Sequence, residues 1–157
     1  MDTNLPIGLN PAAANQLSTG LNQLLADLHI FYQNARGFHW NIRGREFFEL
    51  HVKFEELYND LLLKIDEVAE RVLTLDAQPL HAFEDFVKQS DVPVVRDVKD
   101  GVEAMKHCVA GFSVLLLRER ALLALANEAQ DEGTAALMSD YIREQEKLVW
   151  MYRAYLG

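Results

Sequence analysis

Cysteine is almost missing from this chain: Cys108 is the only one in 157 residues. A lone thiol excludes an internal disulfide framework and any multi-cysteine zinc or iron–sulfur site. The apolar Val109 and the run at 114–117 beside it predict a buried thiol. Proline and glycine are scarce too, with four and eight residues, which argues against collagen-like, linker-like or turn-rich β-sandwich chains. No apolar run approaches the ~18 residues of a membrane span, and no basic segment followed by an apolar one opens the chain. Positive charge is in deficit, with 15 Lys and Arg against 24 Asp and Glu, a formal charge of −9. Such a surface repels phosphate backbones and anionic lipid heads and favours cations. The expectation is a soluble, cytoplasmic protein without membrane contact, one domain over residues 1–157 with a short segment 1–10 ahead of its first helix.

Half of the residues are apolar, and their period is helical almost throughout. From Pro11 to about His39, Leu17, Leu21, Leu24, Leu28 and Phe31 recur at three- and four-residue steps. Asn10 and Pro11 read as an N-cap followed by proline in the first turn, and Gly44 stands where a left-handed C-cap could end this helix. A second helix is predicted from about Glu46 to Leu75, a third from about Val98 to Ala129, and a fourth from near Gly133 to the end. Pro79, Pro93 and a short amphipathic piece over 81–88 separate the second from the third. That connection is too long for a hairpin turn. An all-α four-helix bundle fits best, with a short helix in the long crossover between helices two and three.

Several chemistries drop out at once. The chain holds no G-x-G-x-x-G, no Walker loop, no G-x-S-x-G and no H-E-x-x-H. His107 and Cys108 are neighbours on a helix, about 100° apart, and cannot pair well as a nucleophile and base. Glu-x-x-His, which many diiron bundles carry on two helices, is absent as well. His39 and His51 remain, around the first break, with Asp66 and Glu70 one turn apart on the second helix. Taken alone, the acidic pair reads as a solvated patch beside Lys64 and Arg71, and the two histidines as packed rings. Both imidazole rings could still suit Fe²⁺ or Zn²⁺. Geometry sets a condition on that second reading. His51 and Asp66 lie fifteen positions apart, about 22 Å along a helix, whereas ligands of one ion must lie within roughly 4–5 Å of each other. One subunit cannot close such a site, but two copies packed antiparallel about a two-fold axis could close two.

The stretch ARGFHWNIRGREFFELH over 35–51, IDEVAER over 65–71 and LVWMYRAYLG at the C-terminus resemble the Dps family, the miniferritins or DNA-binding proteins from starved cells. The likeness runs over essentially the whole chain, and the spacing His-x11-His-x14-Asp-x3-Glu is highly specific. It implies a ferritin-like subunit, assembled as a homo-dodecamer from two-fold dimers. It implies ferroxidase sites at those two-folds, with His39 and His51 from one subunit and Asp66 and Glu70 from its neighbour. It also implies oxidation of Fe²⁺, preferably by hydrogen peroxide rather than dioxygen, and storage of ferric iron. Trp40 would stand beside the site and intercept stray oxidising equivalents. Zinc would compete for the same ligands. Where many members carry an assisting Asp, four residues after the second His, this chain has Glu55. Asp131 and Glu132 match an acidic patch at an iron pore, while a later expected Asp is Ala136.

DNA binding fits this sequence poorly. Members that coat DNA use a flexible basic tail, and here the first basic residue is Arg36 while only Arg153 lies near the C-terminus. Little counterion release is then available to drive binding. The reading is an iron-detoxifying cage. The alternatives are a DNA-compacting nucleoid protein with secondary iron binding, and a zinc-type or scaffold bundle whose His and carboxylates are structural.

Overall fold

Asn10 opens the first helix, as its sequence suggests. Its side chain accepts from the amides of Ala12 and Ala13 at 2.9 and 3.2 Å, with proline behind it in the first turn. The computed structural model describes residues 3–157 as five helices: α1 (Pro11–Asn41), α2 (Phe47–Thr74), α3 (Phe83–Gln89), α4 (Gly101–Glu128) and α5 (Glu132–Leu156). Among the described residues no strand occurs, and no helix is long and apolar enough to cross a membrane. α1 packs against α2, α3 and α4, and α4 packs against α5. The expected bundle, with its small helix in the crossover, is the one observed.

The helix ends show where local chemistry departs from expectation. α1 stops at Ile42, whose amide donates to Phe38 O while its backbone turns extended. Gly44 does adopt a positive φ of 118°, but it works in the link, its carbonyl accepting from Phe47 N at 3.2 Å on the way into α2. The left-handed caps occur elsewhere, at Asp76 (φ 62°) after α2 and Gln130 (φ 57°) after α4. Behind each, paired bonds close the helix: Ala77 N to Val72 O with Asp76 N to Leu73 O, and Asp131 N to Ala126 O with Gln130 N to Asn127 O. Neither stop carries glycine, so neither could be read from the sequence.

Asn and Asp side chains fix the crossover in register along α1. Asn22 accepts from Leu80 N and donates to Gln78 O, Asp27 accepts from Asp91 N, and Asn34 donates to Pro93 O and accepts from Val95 N. The connection therefore climbs α1 in step with its own numbering. It ends beside the α1–α2 link, where Arg43 N donates to Lys99 O at 2.9 Å. α4 thus begins at the end of the bundle where α2 begins. The core between the helices is built on Phe31, Phe54 and Phe112, with Phe31 edge-on to Phe112 at 5.0 Å. Gly111 keeps α4 close to α1 there, since a Cβ would sit 2.9 Å from the Phe31 ring. Cys108 is fully buried beside this core, as expected, and burial pushes its thiol pKa far up.

One charged clamp holds the crossover down. Arg118 on α4 donates from Nε to buried Asp27 at 3.2 Å, from Nη1 to Gln23 at 2.9 Å, and pairs through Nη2 with Asp91 of the crossover. Replacing Arg118 by Met strips the cation from a carboxylate that has no exposure of its own. The expected result is a loss of about 3–5 kcal/mol of stability, measured by urea unfolding; a loss under about 1 kcal/mol would show that the clamp is idle.

Candidate metal centre

Two histidines from different helices meet at the α1–α2 hairpin. His39, in the last turn of α1, and His51, early in α2, stack with ring centroids 3.7 Å apart and planes 11° from parallel. His39 Nδ1 lies 2.6 Å from His51 O, and His51 Nδ1 lies 2.7 Å from His39 O. A carbonyl oxygen can only accept, so each Nδ1 carries the hydrogen and donates it. In the neutral form of either ring Nε2 is then the lone-pair nitrogen, the form in which imidazole binds a metal. The rings are held further by Phe47, stacked on His51 at 5.0 Å, and by Tyr58, edge-on to His39 at 5.3 Å. Sequence reasoning missed both residues. Their signal was the helical spacing, Phe47 one turn before His51 and Tyr58 two turns after it.

Asp66 and Glu70 lie farther along α2, both exposed. Among the described residues no three His, Cys, Asp or Glu side chains come close enough to hold one ion, so the two histidines and two carboxylates are not brought together within the subunit. The cations expected to neutralise the carboxylates are engaged elsewhere. Lys64, nearly fully buried, pairs with Asp60 at 2.8 Å and Glu144 at 2.9 Å. Burial works against its charge, yet those hydrogen bonds outweigh it and raise its pKa. Arg71 donates to Asp131 at 2.7 Å and Thr134 at 2.9 Å. Among the described residues, Asp66 and Glu70 are thus left as an acidic pair without a counter-ion.

The outer face of α2 carries more than carboxylates. At about 100° per residue, Phe48, Val52, Leu63 and Leu73 fall within roughly 60° of Asp66, as does Glu55. The four apolar side chains are exposed, Phe48 at 77% and Leu63 at 66%. Glu55 is exposed as well. Trp40 is not packed into the subunit either: it stands 57% exposed, with the Arg36 guanidinium 4.7 Å above its ring.

The acidic pair expected at a pore mouth divides. Asp131 is the N-cap of α5, only 3% exposed, accepting from Thr134 N at 3.0 Å and from Arg71. Its carboxylate is spent on ending one helix connection and starting the next helix. Glu132 is exposed in the first turn. Only Glu132 keeps a free carboxylate for solvent cations.

Residues 18–157 match the family described as the ferritin-like domain. The fold is shared with a Dps protein from Vibrio cholerae O1, itself described as a member of a broad superfamily of ferritin-like diiron-carboxylate proteins, at a TM-score of 0.97 and 57% identity over 100% of this chain and 98% of that one. A Dps protein from Bacillus brevis superposes with a TM-score of 0.90 at 31% identity, over 93% of this chain and 98% of its own. This is a ferritin-like helical bundle protein. Among curated relatives, the DNA protection during starvation protein of Porphyromonas gingivalis is 43% identical over 94% of this chain and 93% of its own length. An uncharacterised protein of Haemophilus influenzae is 49% identical over 94% of this chain and 92% of its own. With that coverage and identity, the chain belongs to the Dps family.

Asp131 and Glu132 can be told apart by stability. Asp131→Ala removes the helix cap and leaves Arg71 unpaired, for an expected cost of about 2–4 kcal/mol. Glu132→Gln should lie within about 0.5 kcal/mol of the unaltered protein. Equal effects in urea unfolding would contradict the two roles.

Proposed function

We propose that this chain is a miniferritin subunit, a ferroxidase that oxidises Fe(II) at sites shared between two copies and stores ferric iron inside a dodecameric cytoplasmic shell. The observation that carries this reading is the reciprocal lock of His39 and His51. It commits both Nδ1 atoms to carbonyls and leaves two Nε2 lone pairs on adjacent parallel rings. In a rigid hairpin this is half of a metal site, already oriented before metal arrives. Asp66 and Glu70 supply the other half, from the neighbouring subunit. The exposed apolar residues on the same face of α2 are the surface that an isologous contact would bury, and burying them would bring the carboxylates along.

Iron is the substrate. Two Fe²⁺ give one electron each to hydrogen peroxide, which with two protons yields two water molecules and two Fe³⁺. Taking both electrons together avoids the one-electron cleavage that releases hydroxyl radical; dioxygen serves as a slower oxidant. Neutral imidazoles and carboxylates suit this work, the anionic oxygens favouring Fe³⁺ over Fe²⁺ by charge. Zn²⁺ fits the same donor set and competes without turnover. Glu55, on the carboxylate face of α2, is an auxiliary oxygen donor, and Trp40, next to His39 in sequence, takes up equivalents that escape. Glu132 helps to draw cations toward an entry point.

Protection of DNA then follows from removing iron and peroxide together. The −9 charge of each subunit opposes direct coating of the duplex. At about 0.1–0.15 M salt without divalent metal, DNA should migrate unretarded beside the protein in a gel; a stoichiometric shift would favour the nucleoid-compacting alternative instead.

A mixing experiment tests the shared site. His39→Ala with His51→Ala should lose rapid Fe²⁺ oxidation, and so should Asp66→Ala with Glu70→Ala. In a mixed dimer one of the two sites takes both its histidines and its carboxylates from unaltered positions. Random co-assembly of the two inactive variants should therefore restore roughly a quarter of the sites. An inactive mixture, despite proven co-assembly, would place the chemistry within one subunit.

A further inference from the structure

Inside the bundle, apart from the histidines and carboxylates of the proposed iron site, three polar side chains end on atoms without a partner. Glu119 on α4 and Tyr141 and Gln145 on α5 are all buried, none more than 3% exposed. Glu119 Oε2, Tyr141 Oη and Gln145 Oε1 make no hydrogen bond among the described residues. The three form one cluster. Gln145 Nε2 donates to Glu119 Oε1 at 2.8 Å. Tyr141 stands one turn before Gln145 on α5, and the charges of Glu67 on α2 and, less strongly, of Glu119 bear on its hydroxyl. Buried polar atoms in folded proteins almost always find partners, so three orphans in one place point to something bound between them.

The atoms themselves say what it is. The amide oxygen of Gln145 only accepts, the tyrosine hydroxyl donates or accepts, and the Glu119 oxygen accepts as a carboxylate or donates as an acid. Water, with two donors and two lone pairs, satisfies the set in either protonation state. A metal cation suits it less, because the buried ammonium of Lys64 already acts on Glu119 and lies 5.1 Å from the Tyr141 ring centroid.

We propose that a water molecule is bound between Glu119, Tyr141 and Gln145, and that Glu119 and this water form a closed proton-holding site inside each subunit. Burial raises the Glu119 carboxyl from its ordinary 4.5 to about 8, against the opposing pull of the Gln145 hydrogen bond. The charges acting on the cluster come from Lys64 and Glu67 on α2, Arg120 on α4 and Glu144 on α5. Lys64 and Arg120 favour the ionised form of Glu119 and Glu144 opposes it. Between the ordinary and the raised value the folded chain holds a proton that the unfolded chain has released. Stability therefore falls as pH rises through that window, and the adaptable water lets the proton leave without orphaning the remaining oxygens.

High-resolution diffraction from crystals of the assembled protein, before and after soaking in Mn²⁺, tests the occupant. The expected result is one water-sized peak within hydrogen-bond reach of all three oxygens and no anomalous signal. Side chains closed on each other with no peak, or a manganese peak, would overturn it. Infrared difference spectra between about pH 6 and about pH 9.5, either side of the raised value, test the proton. One protonated-carboxyl band should vanish at the higher pH and be missing throughout in Glu119→Gln. The melting temperature of Glu119→Gln relative to the unaltered protein should also rise over that range. A band insensitive to pH, or one that persists in Glu119→Gln, would refute the assignment. Should that variant not assemble, Tyr141→Phe retains the acid but loses one arm of the water's cage. Its band should titrate at a shifted midpoint, and an unshifted one would refute the shared water.

Discussion

His39 and His51 hold each other by their backbones. Each ring donates to the other's carbonyl at under 3 Å, so the tautomer and the orientation of both are fixed by the pairing of α1 with α2. The proposed metal site depends on that hairpin being rigid. The link between the helices is short, Ile42 closes α1 without a left-handed residue, and Gly44 absorbs the turn that follows. Lengthening the link would free the rings to rotate and to exchange protons at Nδ1, and the pair would cease to be a prepared donor set.

The carboxylates obey a different constraint, the length of a helix. Asp66 and Glu70 sit on the helix that carries His51, too far along it to reach the same ion. They keep their charge unpaired among the described residues because the two nearest cations are used to build the bundle: Lys64 ties α2 to α5 through Glu144, and Arg71 ties it there again through Asp131. The subunit thus presents unneutralised acid among exposed Phe48, Leu63 and Leu73, a costly surface for an isolated molecule and a useful one for a pair. Part-buried ion pairs on the inner side of α2 and an unpaired acidic face on its outer side are two results of the same helical period.

Much of this was legible in the sequence. The apolar period gave the four long helices, and Asn10 and Pro11 gave the start of the first, because each of these is decided by local chemistry. The spacing of His39, His51, Asp66 and Glu70 already showed that one subunit could not gather them, since helix rise is a fixed quantity. Other features depend on distant residues. Nothing near Asp131 in sequence says that Arg71 will occupy it, so an acidic pair beside a helix start read as two solvent-facing charges when only Glu132 is one. Asp76 and Gln130 end helices in a conformation usually given to glycine, and composition carries no sign of it. Glu119 looks like any charged residue in an amphipathic helix until α5 closes over it. Phe47 and Tyr58 stand at helical spacing from His51, but nothing local says that their rings will pack on the histidines.

The central claim is that each metal centre draws its histidines and its carboxylates from different subunits. Anomalous diffraction at the zinc edge, from crystals of the assembled protein grown with Zn²⁺, tests it most directly because zinc accepts the same ligands and does not turn over. The expected map has a peak in contact with Nε2 of His39 or His51 in one subunit and with Asp66 or Glu70 of its two-fold neighbour. A metal held by His39 and His51 with no carboxylate from a second subunit, or a peak confined to Asp66 and Glu70, would contradict the account.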